Sequence, residues 1–407
     1  IEILQLQPGQ DEALVKQGMR SLYEADKIKI VTYESQHYVT LPQYYYSEVN
    51  IAKKVRAFIA PTAAKLTLDL DAAYKTLRKV PENGVYLNEE QQVGVMGCLE
   101  HKVSIITGGP GTGKTTLLKS LLTVLDEQRV KVRLAAPTGR ASKRMFEGTG
   151  RSTETLHRML EFSPATMGFT RNEQNALQAD FVVVDEASMI DVFLMNSLLK
   201  ALPDRAHLVL LGDGDQLPSV GAGNILHDLI NSGVVNVTRL KHIFRQAQDS
   251  LIIVNAHRVN NGEFPSSKGL WESSKRDFMY IKQDNPEELF EFLRSFFTKT
   301  IKQYHFAWQQ AVILTPMNRG LAGTQRINQE LQLILNAEGG KGPTVTRFGQ
   351  EFRVNDRVMQ IRNNYDKFVF NGDIGFITAI NQEEQEITVT FGERPLTYQF
   401  LELSELV

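Results

Sequence analysis

Three short runs hold the residue types that could do chemistry together. The first is Gly108-Gly109-Pro110-Gly111-Thr112-Gly113-Lys114-Thr115-Thr116. Its spacing, G-x-x-x-x-G-K-[ST], suits a loop whose glycines let backbone N–H groups turn inward onto phosphate oxygens. Lys114 can reach the β- and γ-phosphates of a bound triphosphate, and the Thr115 hydroxyl can hold Mg2+. The second run is Asp185-Glu186, behind the apolar Phe181-Val182-Val183-Val184. There Asp185 suits a metal ligand, directly or through water, and Glu186 can orient and deprotonate the water that attacks a γ-phosphate. The third is Gly212-Asp213-Gly214-Asp215-Gln216. Gln216 is the right type to sense the γ-phosphate and pass its presence to a second surface.

These runs need elements to hold them. Val103-Ser104-Ile105-Ile106-Thr107 enters the glycine loop, and Leu117, Leu118, Leu121, Leu122 and Leu125 leave it at helical spacing. The order is strand, loop, helix, and the helix adds its positive end to the phosphate site. From Leu87 to about Leu240 strands and helices alternate, which argues a parallel sheet covered on both faces. In such sheets ligands sit outside the carboxyl ends of the strands. Each polar run lies at such an end, so all three are expected to converge on one nucleotide.

The flanks read differently. Residues 1–80 show a helix near Asp11 to Ala25, a hairpin from Lys27 to Leu41 and a helix from Ser47 to Ile59, the order of a small winged-helix-like domain. Packing is favoured over base stacking for Tyr44, Tyr45 and Tyr46. Residues 160–179 lose the helical period and read as an inserted hairpin, with its tip near Thr166 to Phe169 exposed and Phe169 free to stack on a base. A second α/β pattern covers 241–341, with Ala311-Val312-Ile313-Leu314-Thr315 as its clearest strand. Residues 342–400 alternate as short strands, a small all-β insert.

The chain has 407 residues, a net charge of −2 and one cysteine, Cys98, which excludes an internal disulfide and a cysteine-based zinc site. Apolar runs fall far short of the ~20 residues that span a bilayer, and a cytoplasmic protein is expected. The eight histidines show no metal-ligand spacing. Any affinity for nucleic acid must be local. It is sought between Arg129 and Arg158, where eight basic residues, Arg140, Lys143 and Arg144 among them, face only Glu147 and Glu154. His157 could bond a phosphate or serve as a structural histidine.

Together these residues resemble superfamily 1 helicases of the RecD type, over nearly the whole chain. Gly108 to Thr115 is similar to motif I, Pro137 to Ala141 to motif Ia, Asp185 to Ser188 to motif II and Gly212 to Gly223 to motif III. Leu87 to Gln91 resembles the Q motif, which implies that Gln91 reads adenine. Ile243-Phe244-Arg245-Gln246 resembles motif IV, which implies that Phe244 stacks on the base and Arg245 reaches the γ-phosphate. Thr315 to Gly320, with Asn318 and Arg319, resembles a segment that touches single-stranded DNA. Phe352 to Phe376, with Asn364 and Asn371, resembles a Src-homology-3-like barrel.

The resemblance implies an α/β fold: a P-loop NTPase with two RecA-like motor domains (87–240, and an incomplete second at 241–341), the barrel insert at 342–400 and a return of 401–407 toward the second motor domain. It implies ATP and Mg2+ as cofactors, with Gly108 to Thr116 cradling the nucleotide, and catalysis by Lys114, Asp185, Glu186, Gln216 and Arg245. Pro137, Thr138, Arg140, Lys143, His157, Asn318, Arg319, Asn364 and Asn371 would contact DNA. The expected activity is 5′-to-3′ movement on single-stranded DNA, with the hairpin as a strand-separating pin at duplex forks, in repair or recombination, by a monomer that could meet other repair proteins. Motifs V and VI are not in this sequence, so part of a longer protein is expected. A nucleotide-gated DNA-binding module without turnover and a signalling P-loop protein are the competing readings.

Overall fold

The structure, a computed structural model, describes residues 12–79, 86–242, 250–266, 277–364, 366–367 and 369–407. It divides into two compact units, residues 1–265 and 266–407. Phe244 and Arg245, assigned to the base and the γ-phosphate, lie outside the described residues.

The first unit is built on a six-stranded, all-parallel sheet. Its strands are β3 (Val103–Thr107), β4 (Val132–Ala136), β5 (Thr153–Thr155), β8 (Phe181–Val184), β9 (His207–Gly212) and β10 (Asn236–Arg239), in the spatial order β10-β3-β9-β8-β4-β5. β3, β8 and β9 are buried along their whole length, as strands covered on both faces must be. Successive side chains point to opposite faces, and this divides each strand between two apolar cores. Ile105, Val182, Val184, Leu208 and Leu210 belong to one core; Ile106, Phe181, Val183, Val209 and Leu211 belong to the other.

Helices α4 (Glu89–Glu100) and α5 (Lys114–Glu127) close the second face with Val95, Cys98, Leu117, Leu118, Leu121 and Leu125. Each buried leucine contributes about 1.5–3 kcal/mol of transfer free energy. Burial also pushes the Cys98 thiol up to about 12, so it is an inert packing group. The first face is closed by α8 (Val192–Ala201) and by α2 (Pro42–Ile59), whose Ile51, Val55 and Phe58 sit in the sheet core. Tyr44 docks on Phe193 with ring centroids 4.9 Å apart. The helix, hairpin and helix order expected at the start of the chain is present, as α1 (Glu12–Glu24), β1 (Lys29–Tyr33), β2 (Gln36–Thr40) and α2. Its last helix, however, covers the parallel sheet instead of closing a core of its own.

Two further helices, α6 (Gly139–Thr149) and α7 (Leu156–Met159), flank β5. Beyond them β6 (Phe162–Ser163) pairs antiparallel with β7 (Gly168–Phe169). Phe162 stands directly opposite Phe169, centroids 5.3 Å apart, and both rings meet His157. Cross-strand pairing puts the two rings on one face, and Phe169 also packs on the sheet core. Phe169 is therefore an anchor at the root of the hairpin; the exposed tip is formed by Ala165, Thr166 and Met167, with Met167 as its large apolar residue. The first unit ends with α9 (Ile225–Ser232) and α10 (Leu251–Asn260).

In the second unit, α11 (Pro286–Ser295) and α12 (Thr324–Leu335) precede an antiparallel β-domain. The expected strand at Ala311–Thr315 is not formed. These residues pair with no strand among those described, and Val312 and Leu314 are 68% and 89% exposed. An apolar β-branched run marks strand potential, but a strand needs neighbours, and none of the described residues supplies a parallel sheet here. The β-domain is a hairpin, β11 (Thr344–Arg347) with β12 (Gln350–Arg353), and a four-stranded meander, β13 (Arg357–Met359), β14 (Ile374–Asn381), β15 (Glu386–Phe391) and β16 (Arg394–Gln399). Leu403 and Leu406 enter its core, and Met359 and Val407 exchange backbone hydrogen bonds of 2.8 and 3.0 Å. Residues 401–407 thus complete this domain and do not leave it. No helix among the described residues is long and apolar enough to cross a membrane.

Candidate nucleotide site

The loop after β3 is shaped by its glycines. Gly111 and Gly113 have φ of 78° and 83°, left-handed values that only glycine adopts freely. At Gly108 a Cβ would lie 2.8 Å from both the Leu240 carbonyl oxygen and Thr112 Oγ1, so no side chain fits. The buried Thr112 hydroxyl donates to the Gly109 carbonyl at 2.9 Å. Lys114 opens α5 with its ammonium folded back on the loop, donating to the carbonyls of Gly108 and Gly109, the latter at 3.2 Å.

Two strands away, the Asp185 N–H donates to the Ala135 carbonyl at 3.0 Å, which pins the tip of β8 to β4. Asp185 Oδ1 accepts the Glu186 N–H at 2.9 Å, and Glu186 is left-handed at φ 53°, a strained conformation for a glutamate. A cavity of about 170 Å³ lies at this end of the sheet, lined by Lys114, Thr115, Asp185, Glu186 and Arg144, with Leu118, Met145 and Leu211 among its apolar walls. Burial raises the Asp185 carboxyl above the ordinary range, opposed by the Glu186 N–H and by Lys114. Burial, and then the Asp185 charge, raises Glu186 against the pull of Lys114 and Arg144.

Two desolvated carboxylates facing a cavity need positive charge, and Thr115 with Asp185 fits a hard divalent cation such as Mg2+. Among the described residues no three His, Cys, Asp or Glu side chains cluster to make a complete site. Such an ion would take its remaining ligands from phosphate and water, as Mg2+ commonly does.

The loop after β9 is knit around the buried Asp213. Its carboxylate accepts the Asp215 N–H at 3.1 Å and the Gln216 side-chain amide at 3.4 Å, while the Gly214 N–H donates to Thr107 Oγ1 at 3.0 Å. Gln216 is exposed and does not line the cavity.

Gln91 departs from its expected role. It is fully buried; its Oε1 accepts the Asn88 N–H at 3.1 Å and its Nε2 donates to the Gly113 carbonyl at 3.3 Å. Asn88 Oδ1 in turn accepts the Gln91 N–H at 2.8 Å. This reciprocal cap occupies the amide that was expected to read adenine, and ties α4 to the phosphate loop instead. Arg144 was missed as a cavity residue because it sits in a basic run. The helical spacing 141, 144, 145, 149 puts Arg144 on the face that Ala141, Met145 and Thr149 turn to the cavity.

Of the expected DNA contacts in the first unit, Arg140 and Lys143 are exposed on α6, and Thr138 caps that helix by accepting the Ala141 N–H at 3.2 Å. Pro137 is half-buried just before the cap. The neighbouring Arg133 and Arg151 are held by Glu154 and Asp126. His157 is half-buried among Phe162 and Phe169, and burial lowers its basicity, which favours the structural reading. In the second unit Asn318, Arg319 and Asn371 are exposed. Asn364 is committed to its own turn: Oδ1 accepts the Lys367 N–H at 3.0 Å and Nδ2 donates to Glu405 at 3.1 Å.

Residues 91–222 match a family described as an AAA domain, and residues 327–391 match the ATP-dependent RecD-like DNA helicase SH3 domain. The ATP-dependent RecD2 DNA helicase of Deinococcus radiodurans is 33% identical over 357 residues, covering 87% of this chain and 46% of that protein. The RecBCD enzyme subunit RecD of Mycolicibacterium smegmatis is 31% identical over 327 residues, covering 72% of this chain and 57% of that protein. The chain thus spans about half the length of these curated relatives. A crystal structure of Bacteroides Pif1 bound to single-stranded DNA aligns over 77% of this chain and 74% of that one, at 19% identity and a TM-score of 0.40.

Gln91→Ala removes two hydrogen bonds inside the nucleotide-free protein; the Gly113 carbonyl keeps the Leu117 N–H at 3.0 Å, while the half-buried Asn88 N–H loses its side-chain acceptor, a loss that costs about 1–3 kcal/mol. A lower thermal midpoint is expected in the absence of nucleotide. An unchanged midpoint with altered choice between ATP and GTP would return Gln91 to base reading.

Proposed function

The chain belongs to the RecD-like family of DNA helicases, and from that premise we propose that it hydrolyses ATP with Mg2+ and couples hydrolysis to 5′-to-3′ movement on single-stranded DNA. The observation that carries this reading is the convergence of Lys114, Thr115, Asp185 and Glu186 on one cavity at the carboxyl ends of β3 and β8. Thr115 and Asp185 would hold Mg2+, which when bound neutralises phosphate charge. Lys114 leaves the Gly108 and Gly109 carbonyls for the phosphates, where its charge is worth most in the transition state. Glu186, with its basicity raised by burial, suits a base that takes a proton from the attacking water at its carboxylate oxygen. Arg144 faces the same cavity and can steady developing negative charge. The substrate class is single-stranded DNA and duplex forks. Repair or recombination is the setting that fits relatives named as RecBCD subunits, and other repair proteins are the partner class.

Lys114→Ala is expected to lower the DNA-stimulated ATPase by ~10²-fold or more, and Glu186→Gln to retain ATP binding while stopping turnover. Single-turnover hydrolysis with and without oligo-dT checks both. Near-normal turnover in Lys114→Ala would sink the motor assignment, and binding without turnover in the unaltered protein would make the chain a nucleotide-gated binder.

DNA affinity should fall with salt, each phosphate contact on single strands adding about 0.7 to the log-log slope. Replacing Arg140 and Lys143 by Ala should flatten that slope by about 1.4 if each meets one phosphate. An unchanged slope moves the binding face elsewhere.

The β6–β7 hairpin is the proposed wedge at a fork, with Met167 as its apolar tip on a root stiffened by Phe162, Phe169 and His157. Exchange of Ala165, Thr166 and Met167 for Gly and Ser should slow duplex unwinding while sparing single-strand binding and ATPase. Equal loss of all three activities would make the hairpin structural.

A further inference from the structure

Helix α10 follows the segment that carries Arg245 and ends within a few residues of the second unit. Two of its side chains reach back into the nucleotide machinery. The His257 ring lies on Gly109 of the phosphate loop: a Cβ placed on that glycine would stand 3.2 Å from the imidazole Cε1 and 3.6 Å from Nε2. His257 Nε2 is buried and has no hydrogen-bond partner among the described residues. One turn on, Asn260 Nδ2 donates to Asp215 Oδ2 at 3.4 Å, next to Gln216. The helix therefore bridges the loop after β3 and the loop after β9.

A buried imidazole nitrogen without a partner is costly and calls for a state in which it has one. The carbonyl of Gly109, the residue against which the ring lies, is now taken by two donors, Thr112 Oγ1 at 2.9 Å and Lys114 Nζ at 3.2 Å. Lys114 must leave when it moves to phosphate, and the carbonyl then loses one of its two donors. A neutral imidazole can present its N–H at Nε2, on a ring that already lies against Gly109.

We propose that His257 is a nucleotide-state sensor, a positioning residue whose Nε2–H takes the Gly109 carbonyl when Lys114 moves to the phosphates. The exchange fixes α10 against the loaded loop, and Asn260 carries the shift to Asp215 beside Gln216. Binding of nucleotide is thereby registered on the helix that leads out of the first unit. The inference rests on the nucleotide-binding reading of the same cavity.

The test separates a donor from a packing ring. Glutamine places an amide N–H near the position of Nε2 without a ring, whereas phenylalanine keeps the ring and has no donor. Affinity for a fluorescent ATP analogue with Mg2+ is measured for His257→Gln, His257→Phe and Lys114→Ala, with thermal midpoints recorded for each. His257→Phe is expected to weaken affinity about threefold to tenfold, the range of one net hydrogen bond, and His257→Gln to stay within about twofold of the unaltered protein. Affinity kept in His257→Phe, or lost equally in both variants, overturns the sensor while leaving the site intact. Affinity kept in Lys114→Ala instead overturns the nucleotide site itself, so the two failures are distinguishable.

Discussion

Among the described residues, Lys114 has no carboxylate in its grasp. Its ammonium is held by the carbonyl oxygens of Gly108 and Gly109, while Asp185 and Glu186 face it across the cavity and feel its charge without bonding to it. A lysine paired directly with an acid would have to break a charge-assisted bond before meeting phosphate. A lysine held on neutral carbonyls exchanges one set of oxygens for another. The rest of the first unit can be understood as what keeps these charges apart and partly dry. β9 separates β3 from β8 in the sheet, so the lysine and the two acids emerge two strands apart, some 9–10 Å by strand spacing. That gap admits a triphosphate end and a cation.

Holding such a gap open requires a rigid floor. The alternation of strand residues between two dry cores supplies it, since a one-residue slip in β3, β8 or β9 would exchange the two faces of that strand and move its tip relative to its neighbours. The first of these cores is not closed by the helices between the strands alone. Ile51, Val55 and Phe58 come from α2, far earlier in the chain, and Lys102 at the start of β3 lies over the Phe58 ring at 4.5 Å. The N-terminal segment is therefore part of the floor beneath the nucleotide site.

What could be read from the residues alone follows from this geometry. The glycine loop, the Asp185-Glu186 tip and the sheet they sit on were legible because their signals are local: backbone freedom at Gly111 and Gly113, unbroken apolar strands, and leucines at helical spacing. Gln91 is engaged differently from its expected role because a motif names a residue type, whereas the cap with Asn88 and the bond to Gly113 depend on how α4 meets the loop. Phe169 looked like a tip because the pairing Phe162↔Phe169 could not be told from its alternatives. Ala311–Thr315 has the composition of a strand and lacks the neighbours. Leu403 and Leu406 were assigned to a return segment, although their burial depends on a core assembled from six earlier strands. Arg144 was hidden by the charge of its own run.

The glycines late in the third run show how such tertiary demands enter a sequence. At Gly221 a Cβ would lie 2.3 Å from Asp191 Oδ2, and at Gly223, where φ is 102°, it would lie 2.4 Å from Val192 Cγ2. Asp191 caps α8 by accepting the Leu194 N–H at 2.8 Å, and the Val192 N–H donates to the Ala222 carbonyl at 2.9 Å. The loop after β9 is thus laid directly on the start of α8, five residues beyond Glu186. With no side chain at either position, the loop that carries Gln216 can pack on the segment that follows Glu186. With Asn260 bonded to Asp215 in the same loop, the loop after β9 is held from two sides, by the start of α8 and by α10.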